Sequence, residues 1–145
     1  MNPRPYRLVV LTDFDSMLAR YPLLNQLNPS LTEARYAEFL RAILEQGGYF
    51  QLACFDADRC VGVTGVWIAT KVWCGKYIEV DNFVVDREYR GRGIGRIILE
   101  WVEARGREEG CDRVHLDSYI VNEKANAFYE ARGFEKKGYH MQKWL

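Results

Sequence analysis

This sequence has no excess of charge of either sign. Its 145 residues carry 20 Lys plus Arg against 20 Asp plus Glu. The balance also holds locally, with 6 basic against 7 acidic residues before residue 60 and 14 against 13 after it. Such a chain has neither the basic tract that neutralises a nucleic-acid backbone nor a basic face for anionic lipid, so no nucleic-acid or membrane partner is expected. Long hydrophobic runs are missing as well, since no stretch reaches the roughly 20 apolar residues that span a bilayer. Met1-Asn2-Pro3-Arg4-Pro5 does not lead from basic into apolar residues, so no secretory leader is expected. Cysteine is sparse: Cys54, Cys60, Cys74 and Cys111 form no Cys-x-x-Cys pair and stand at no zinc spacing with the two histidines. The expectation is free thiols, buried or half-buried, no metal, and a cytoplasmic protein. His115 and His140 lack a sequence-local catalytic partner and are expected to be structural.

What is present describes one globular domain over residues 1–145, with 48% hydrophobic and 14% aromatic residues. Arg7 to Leu11 reads as a strand, and residues 16–27 begin as a helix whose extent Pro22 limits. Thr32 can cap a helix with the stripe Tyr36, Phe39, Leu40, Ile43 and Leu44, ended by Gly47-Gly48. Tyr49 to Phe55 and Cys60 to Thr70 pair as a hairpin, followed by a turn at residues 71–75 and a strand from Lys76 to Val85. Ile78 and Val80 alternate with Glu79 and Asp81, then Phe83, Val84 and Val85 run consecutively apolar. That break of period near Asp81-Asn82 predicts a β-bulge. A strand from Arg113 to Ser118, a short helix after Asn122 and one or two closing strands across 134–144 complete the chain.

The most informative stretch follows the strand that ends at Val85. Arg90-Gly91-Arg92-Gly93-Ile94-Gly95-Arg96 is a glycine-rich turn opening a helix with the stripe Ile94, Ile97, Ile98, Trp101 and Val102, which Gly110 stops. Glycines let backbone amides approach a ligand, and the free N–H groups of a first helical turn carry about half a positive charge. With three arginines alongside, the turn reads as a phosphate or diphosphate cradle. It is not a nucleotide-triphosphate loop, because no Lys-Ser/Thr follows Gly95. Nor is it a dinucleotide fingerprint, because the spacing is Gly-x-Gly-x-Gly and the turn lies mid-chain. Downstream, Asn122 is a good N-cap, Glu123 suits the positive helix end, and Gly133 stands where a left-handed C′ residue belongs.

Arg90-x-x-Gly93-x-Gly95 resembles the coenzyme A diphosphate motif of the GNAT superfamily of N-acetyltransferases. Asn122…Ala125…Phe128-Tyr129…Gly133-Phe134 resembles that superfamily's second segment, in the same order. The resemblance implies an α+β fold of order β-α-α-β-β-β-α-β-α-β-β, with a mostly antiparallel central sheet and a splayed parallel strand pair. It implies acetyl-CoA as cosubstrate, with the diphosphate on Arg90, Gly91, Arg92, Gly93, Ile94, Gly95 and Arg96. Backbone groups of Phe83, Val84 and Val85 would pair with the pantetheine arm, and Asn122, Ala125 and Phe128 would complete the carrier site. Tyr129 would protonate the leaving thiolate. Glu79, fourteen residues before Gly93, matches a general-base position, with Asp81 or water alone as alternatives. The acceptor would be a primary amine of a small molecule or peptide, attacked directly in a ternary complex. A non-catalytic acyl-CoA sensor or interaction module is the alternative. A homodimer through the C-terminal strands is a further expectation.

Overall fold

Alternation of apolar and polar residues becomes a five-stranded sheet in the computed structural model, which describes residues 6–145. The strands are β1 (Arg7–Leu11), β2 (Tyr49–Asp56), β3 (Arg59–Lys71), β4 (Gly75–Val85) and β5 (Arg113–Leu116), in the spatial order β1-β2-β3-β4-β5. The first four pair antiparallel, and β4 with β5 forms the parallel pair. The helices are α1 (Phe14–Leu18), α2 (Tyr21–Leu27), α3 (Glu33–Gln46), α4 (Ile94–Glu108) and α5 (Glu123–Ala131). This is the expected mixed α+β architecture. Residues 1–5, read above for a leader, lie outside the described residues.

Two faces of the sheet have different covers. On one, α1 to α3 contribute Met17, Leu23, Leu24, Tyr36 and Leu40 to a core with Leu11, Ala53, Val63 and Val84. On the other, α4 buries Ile94, Ile98, Leu99 and Val102. It lies so close to β4 that a Cβ on Gly106 would stand 2.8 Å from Ile78 Cγ2. Leu99 is a core residue outside the expected stripe, while Ile97 and Trp101 are only half-buried. Phe39 also departs from its stripe. It is exposed, and the Arg35 guanidinium lies 4.8 Å from its ring centroid.

Pro22 does not shorten a helix but starts one. The expected single segment is two helices, and the proline occupies the first turn of α2, where its missing N–H costs nothing. The hairpin turn is tighter than read, with Ala57 and Asp58 alone between β2 and β3 and Ala57 at φ +53°. The closing strands are a correction: residues 134–145 form neither strand nor helix. A strand forms against a ladder and not from its own propensity.

The described chain resolves into two compact units, one running to His115 and one from Leu116 to Leu145. The first contains the sheet and its core. The second contains α5, whose cap is Asn122, the side chain of which accepts from the Ala125 N–H at 3.3 Å. Within it Asn126 donates to the Tyr119 carbonyl at 3.1 Å, and Lys136 pairs with Glu130 at 2.8 Å. Among the described residues no helix is long and apolar enough to cross a membrane.

Candidate functional site

The bulge expected near Asp81-Asn82 is present. Val63 faces Val84 and Gly65 faces Asp81, so Asn82 and Phe83 together stand opposite Thr64. Asn82 takes φ +49°, and Thr64 Oγ1 donates to the Gly65 carbonyl at 2.9 Å and to that of Asp81 at 3.3 Å. The irregularity re-aims the end of β4, which carries Phe83, Val84 and Val85. With four residues against eleven, β5 leaves most of the outer edge of β4 without a ladder partner from that strand.

Beyond Val85 the chain enters a short 3-10 turn (Arg87–Tyr89) and then the glycine turn. Gly91 at φ +80° and Gly93 at φ +82° occupy the left-handed region, and a Cβ at either would meet nothing within 4 Å. The glycines therefore serve conformation and openness rather than close packing. Gly93 is the N-cap of α4 and brings no side chain to it. By contrast Asp13, Thr32 and Asn122 each cap their helix with a side-chain oxygen. The first-turn N–H groups at Ile94, Gly95 and Arg96 are thus left for solvent or a ligand.

The three arginines are engaged differently. Arg90 Nε donates to the Val85 carbonyl at 3.4 Å, and Arg96 Nε pairs with Glu100 at 2.8 Å, one helical turn on. Arg92 has its guanidinium 4.5 Å from the centroid of Tyr89. Beneath them Asp86, almost fully buried, caps the 3-10 turn by accepting from the Glu88 N–H at 3.0 Å and binds Arg59 at 3.1 Å. Burial alone would raise the Asp86 carboxyl, but the Glu88 amide and Arg59 outweigh it and hold it below its ordinary value.

Glu79 is half-buried on β4, opposite Trp67. Asp81 is exposed two residues on and accepts from Trp67 Nε1 at 3.3 Å. Neighbouring Tyr49 stacks at a tilt on Trp67, with centroids 4.8 Å apart, and its hydroxyl accepts from Gln51 Nε2 at 3.0 Å. Burial pushes the Tyr49 phenol upward. Glu79 and Asp81 thus share one strand face, bordered by aromatic rings. In the second unit Tyr129 meets Phe128 and Phe134 edge-on, with centroids at 5.5 and 5.8 Å. Burial raises its phenol too. Ala125 lies one turn before it on α5.

The cysteines are free, two buried and two half-buried. Burial, with Cys60 and Asp56 nearby, pushes the Cys54 thiol up to about 11, which makes it a poor nucleophile at neutral pH. His115 is stacked between Tyr77 at 4.7 Å and Trp73 at 5.5 Å. His140 Nδ1 lies 3.0 Å from Asp117, a partner 23 residues away that no local motif announces. Sequence inspection also missed Gln26, Asp56 and Arg59, which meet the 86–89 turn from 27 to 61 residues away.

The chain is 29% identical over 146 residues to glucosamine 6-phosphate N-acetyltransferase 1 of Dictyostelium discoideum, covering 97% of this chain and 90% of that protein. It is 33% identical to the enzyme of that name from Oryza sativa subsp. japonica, covering 94% and 85%. An aminoglycoside N-acetyltransferase solved in complex with CoA superimposes with a TM-score of 0.80 at 17% identity, covering 100% and 99%, which speaks for the fold. Residues 14–134, which include both the glycine turn and the Asn122 helix, match the family directly, and the chain belongs to the acetyltransferase (GNAT) family.

Proposed function

We propose that this acetyltransferase moves the acetyl group of acetyl-CoA to the primary amine of a small molecule by direct attack. The observation that carries the proposal is the glycine-capped start of α4, whose amides no side chain satisfies, beside Arg90, Arg92 and Arg96. A diphosphate would be held there by Gly91, Gly93, Ile94 and Gly95 backbone and by the guanidinium groups. On this reading the backbone of Phe83, Val84 and Val85, at the bulged end of β4, pairs with the amides of the pantetheine arm. Asn122, Ala125 and Phe128 are assigned to the carrier site on the strength of the second motif. The family match across both units supports one domain over 1–145.

In the reaction Glu79 takes the proton of the attacking amine, directly or through water, with Asp81 on the same face as its neighbour. The nitrogen forms a bond to the thioester carbon. A backbone N–H near Val84 polarises the carbonyl oxygen. The carbon–sulfur bond then breaks, and Tyr129 gives its proton to the departing thiolate. A phenol raised by burial stays protonated at neutral pH, which suits a proton donor. The relatives' names, glucosamine 6-phosphate and aminoglycoside acetyltransferases, support a small-molecule amine as acceptor. Calorimetry with coenzyme A and a thiol-release screen against amino sugars, aminoglycosides, polyamines and amino acids test the reading. No binding of coenzyme A, or release that no amine stimulates, would overturn it.

A further inference from the structure

Tyr89 is held from three sides. Its hydroxyl donates to Asp56 Oδ2 at 2.9 Å, and two guanidinium groups lie over its ring, that of Arg92 at 4.5 Å and that of Arg59 at 5.0 Å. Arg59 is committed elsewhere, with Asp86 at 3.1 Å and Glu88 at 2.7 Å. Asp56 and Arg59 flank the two-residue turn of the β2–β3 hairpin, which is remote in sequence from the glycine turn. A third clamp comes from α2, where Gln26 Oε1 accepts from the Arg87 N–H at 3.0 Å. The 86–92 segment is therefore fastened to two other elements before any ligand arrives.

The consequence falls on Arg92. Arg90 points at a backbone carbonyl and Arg96 at Glu100, whereas Arg92 forms no ion pair among the described residues. Arg59 pairs with the two carboxylates of the turn, Asp86 and Glu88, that could otherwise attract it. A guanidinium held against an aromatic ring and without a carboxylate partner among the described residues keeps its N–H donors for a bidentate anion. We infer that Tyr89, pinned by Asp56 and Arg59, is a positioning residue that presents Arg92 to the diphosphate of the acyl carrier. The inference rests on the cradle assigned above and adds a part that lies outside its motif.

The test is a double-variant cycle on coenzyme A affinity, measured by calorimetry, which requires no acceptor. Arg92→Ala should weaken binding about tenfold, the loss of one charge-assisted contact. Tyr89→Leu should lose most of the same factor although it touches no ligand, and Asp56→Asn about threefold. The combination of Tyr89→Leu with Arg92→Ala should bind no worse than Arg92→Ala alone, because one residue acts through the other. Multiplying effects, or a Tyr89→Leu protein with wild-type affinity, overturn the inference while leaving the cradle intact. Failure of the wild-type protein to bind coenzyme A overturns the cradle itself, and this inference with it. Should Tyr89→Leu fail to fold, Tyr89→Phe in the same cycle removes only the bond to Asp56. Ligand-free melting temperatures identify any variant whose loss is global.

Discussion

Individual side chains set the chemistry and part of the acid stability. Tyr129→Phe removes the proposed proton donor while keeping the ring, so turnover should fall by roughly 10² to 10⁴ with coenzyme A affinity nearly unchanged. Because burial raises this phenol, the alkaline limb of kcat should begin above a tyrosine's ordinary value of about 10 and vanish in the variant. A variant with normal turnover removes Tyr129 from the mechanism. At Asp86 the folded-state pKa is lowered, so its contribution to stability is present above the ordinary carboxylate value and is lost as pH falls through the folded one. Arg59 is half-exposed, which weakens its pairs through solvent screening. Arg59→Gln should therefore lower the urea midpoint at pH 7, and the difference from wild type should shrink as pH falls and Asp86 and Glu88 are protonated; a difference that does not change with pH would remove these pairs from the stability.

At the scale of elements, two glycines serve α4 in opposite ways, Gly93 as its N-cap and Gly106 within it. Gly93 needs φ +82° in open space, so Gly93→Ala should cost about 1 to 2 kcal/mol in backbone strain without a steric clash. Gly106 has no such φ but sits where a methyl would strike buried Ile78 at 2.8 Å. Gly106→Ala should destabilise the fold by about 1 to 3 kcal/mol through overpacking, offset in part by alanine's better helix propensity, and so melt at a lower temperature than wild type. If Gly106→Ala melts higher than wild type, α4 does not approach β4 this closely. The amphipathic stripe announced α4 and its end at Gly110, but the contact that Gly106 permits depends on which strand lies under the helix. Likewise the broken alternation at Asp81-Asn82 foretold the bulge. Its depth was not legible, because that depends on Thr64 and Gly65 across the ladder.

For the whole molecule, the buried residues among those described all lie between Leu11 and Gly106, and none lies between Leu116 and Leu145. Tyr119, Ile120, Val121, Tyr139, Met141 and Trp144 are all exposed in that second unit. Protection against hydrogen exchange scales with burial and dense backbone pairing. The slowest amides should therefore belong to β2, β3 and β4, and those of residues 134–145 should exchange among the fastest. Slow exchange in 134–145 would mean that the expected closing strands do form in solution, against their absence here.

The glycine turn, the helix it opens, the broken alternation that marks the bulge and the Asn122 cap were determined by the sequence, because each depends on neighbours within a few residues. Backbone dihedral preference, helix period and capping all act over that range. Only the tertiary structure decided that Pro22 begins a helix, that Phe39 faces solvent and that 134–144 joins no strand ladder. It alone brought Asp56 and Arg59 under Tyr89. Those outcomes depend on which surfaces meet after the chain has turned back on itself, and no local periodicity encodes a partner 27 to 61 residues away.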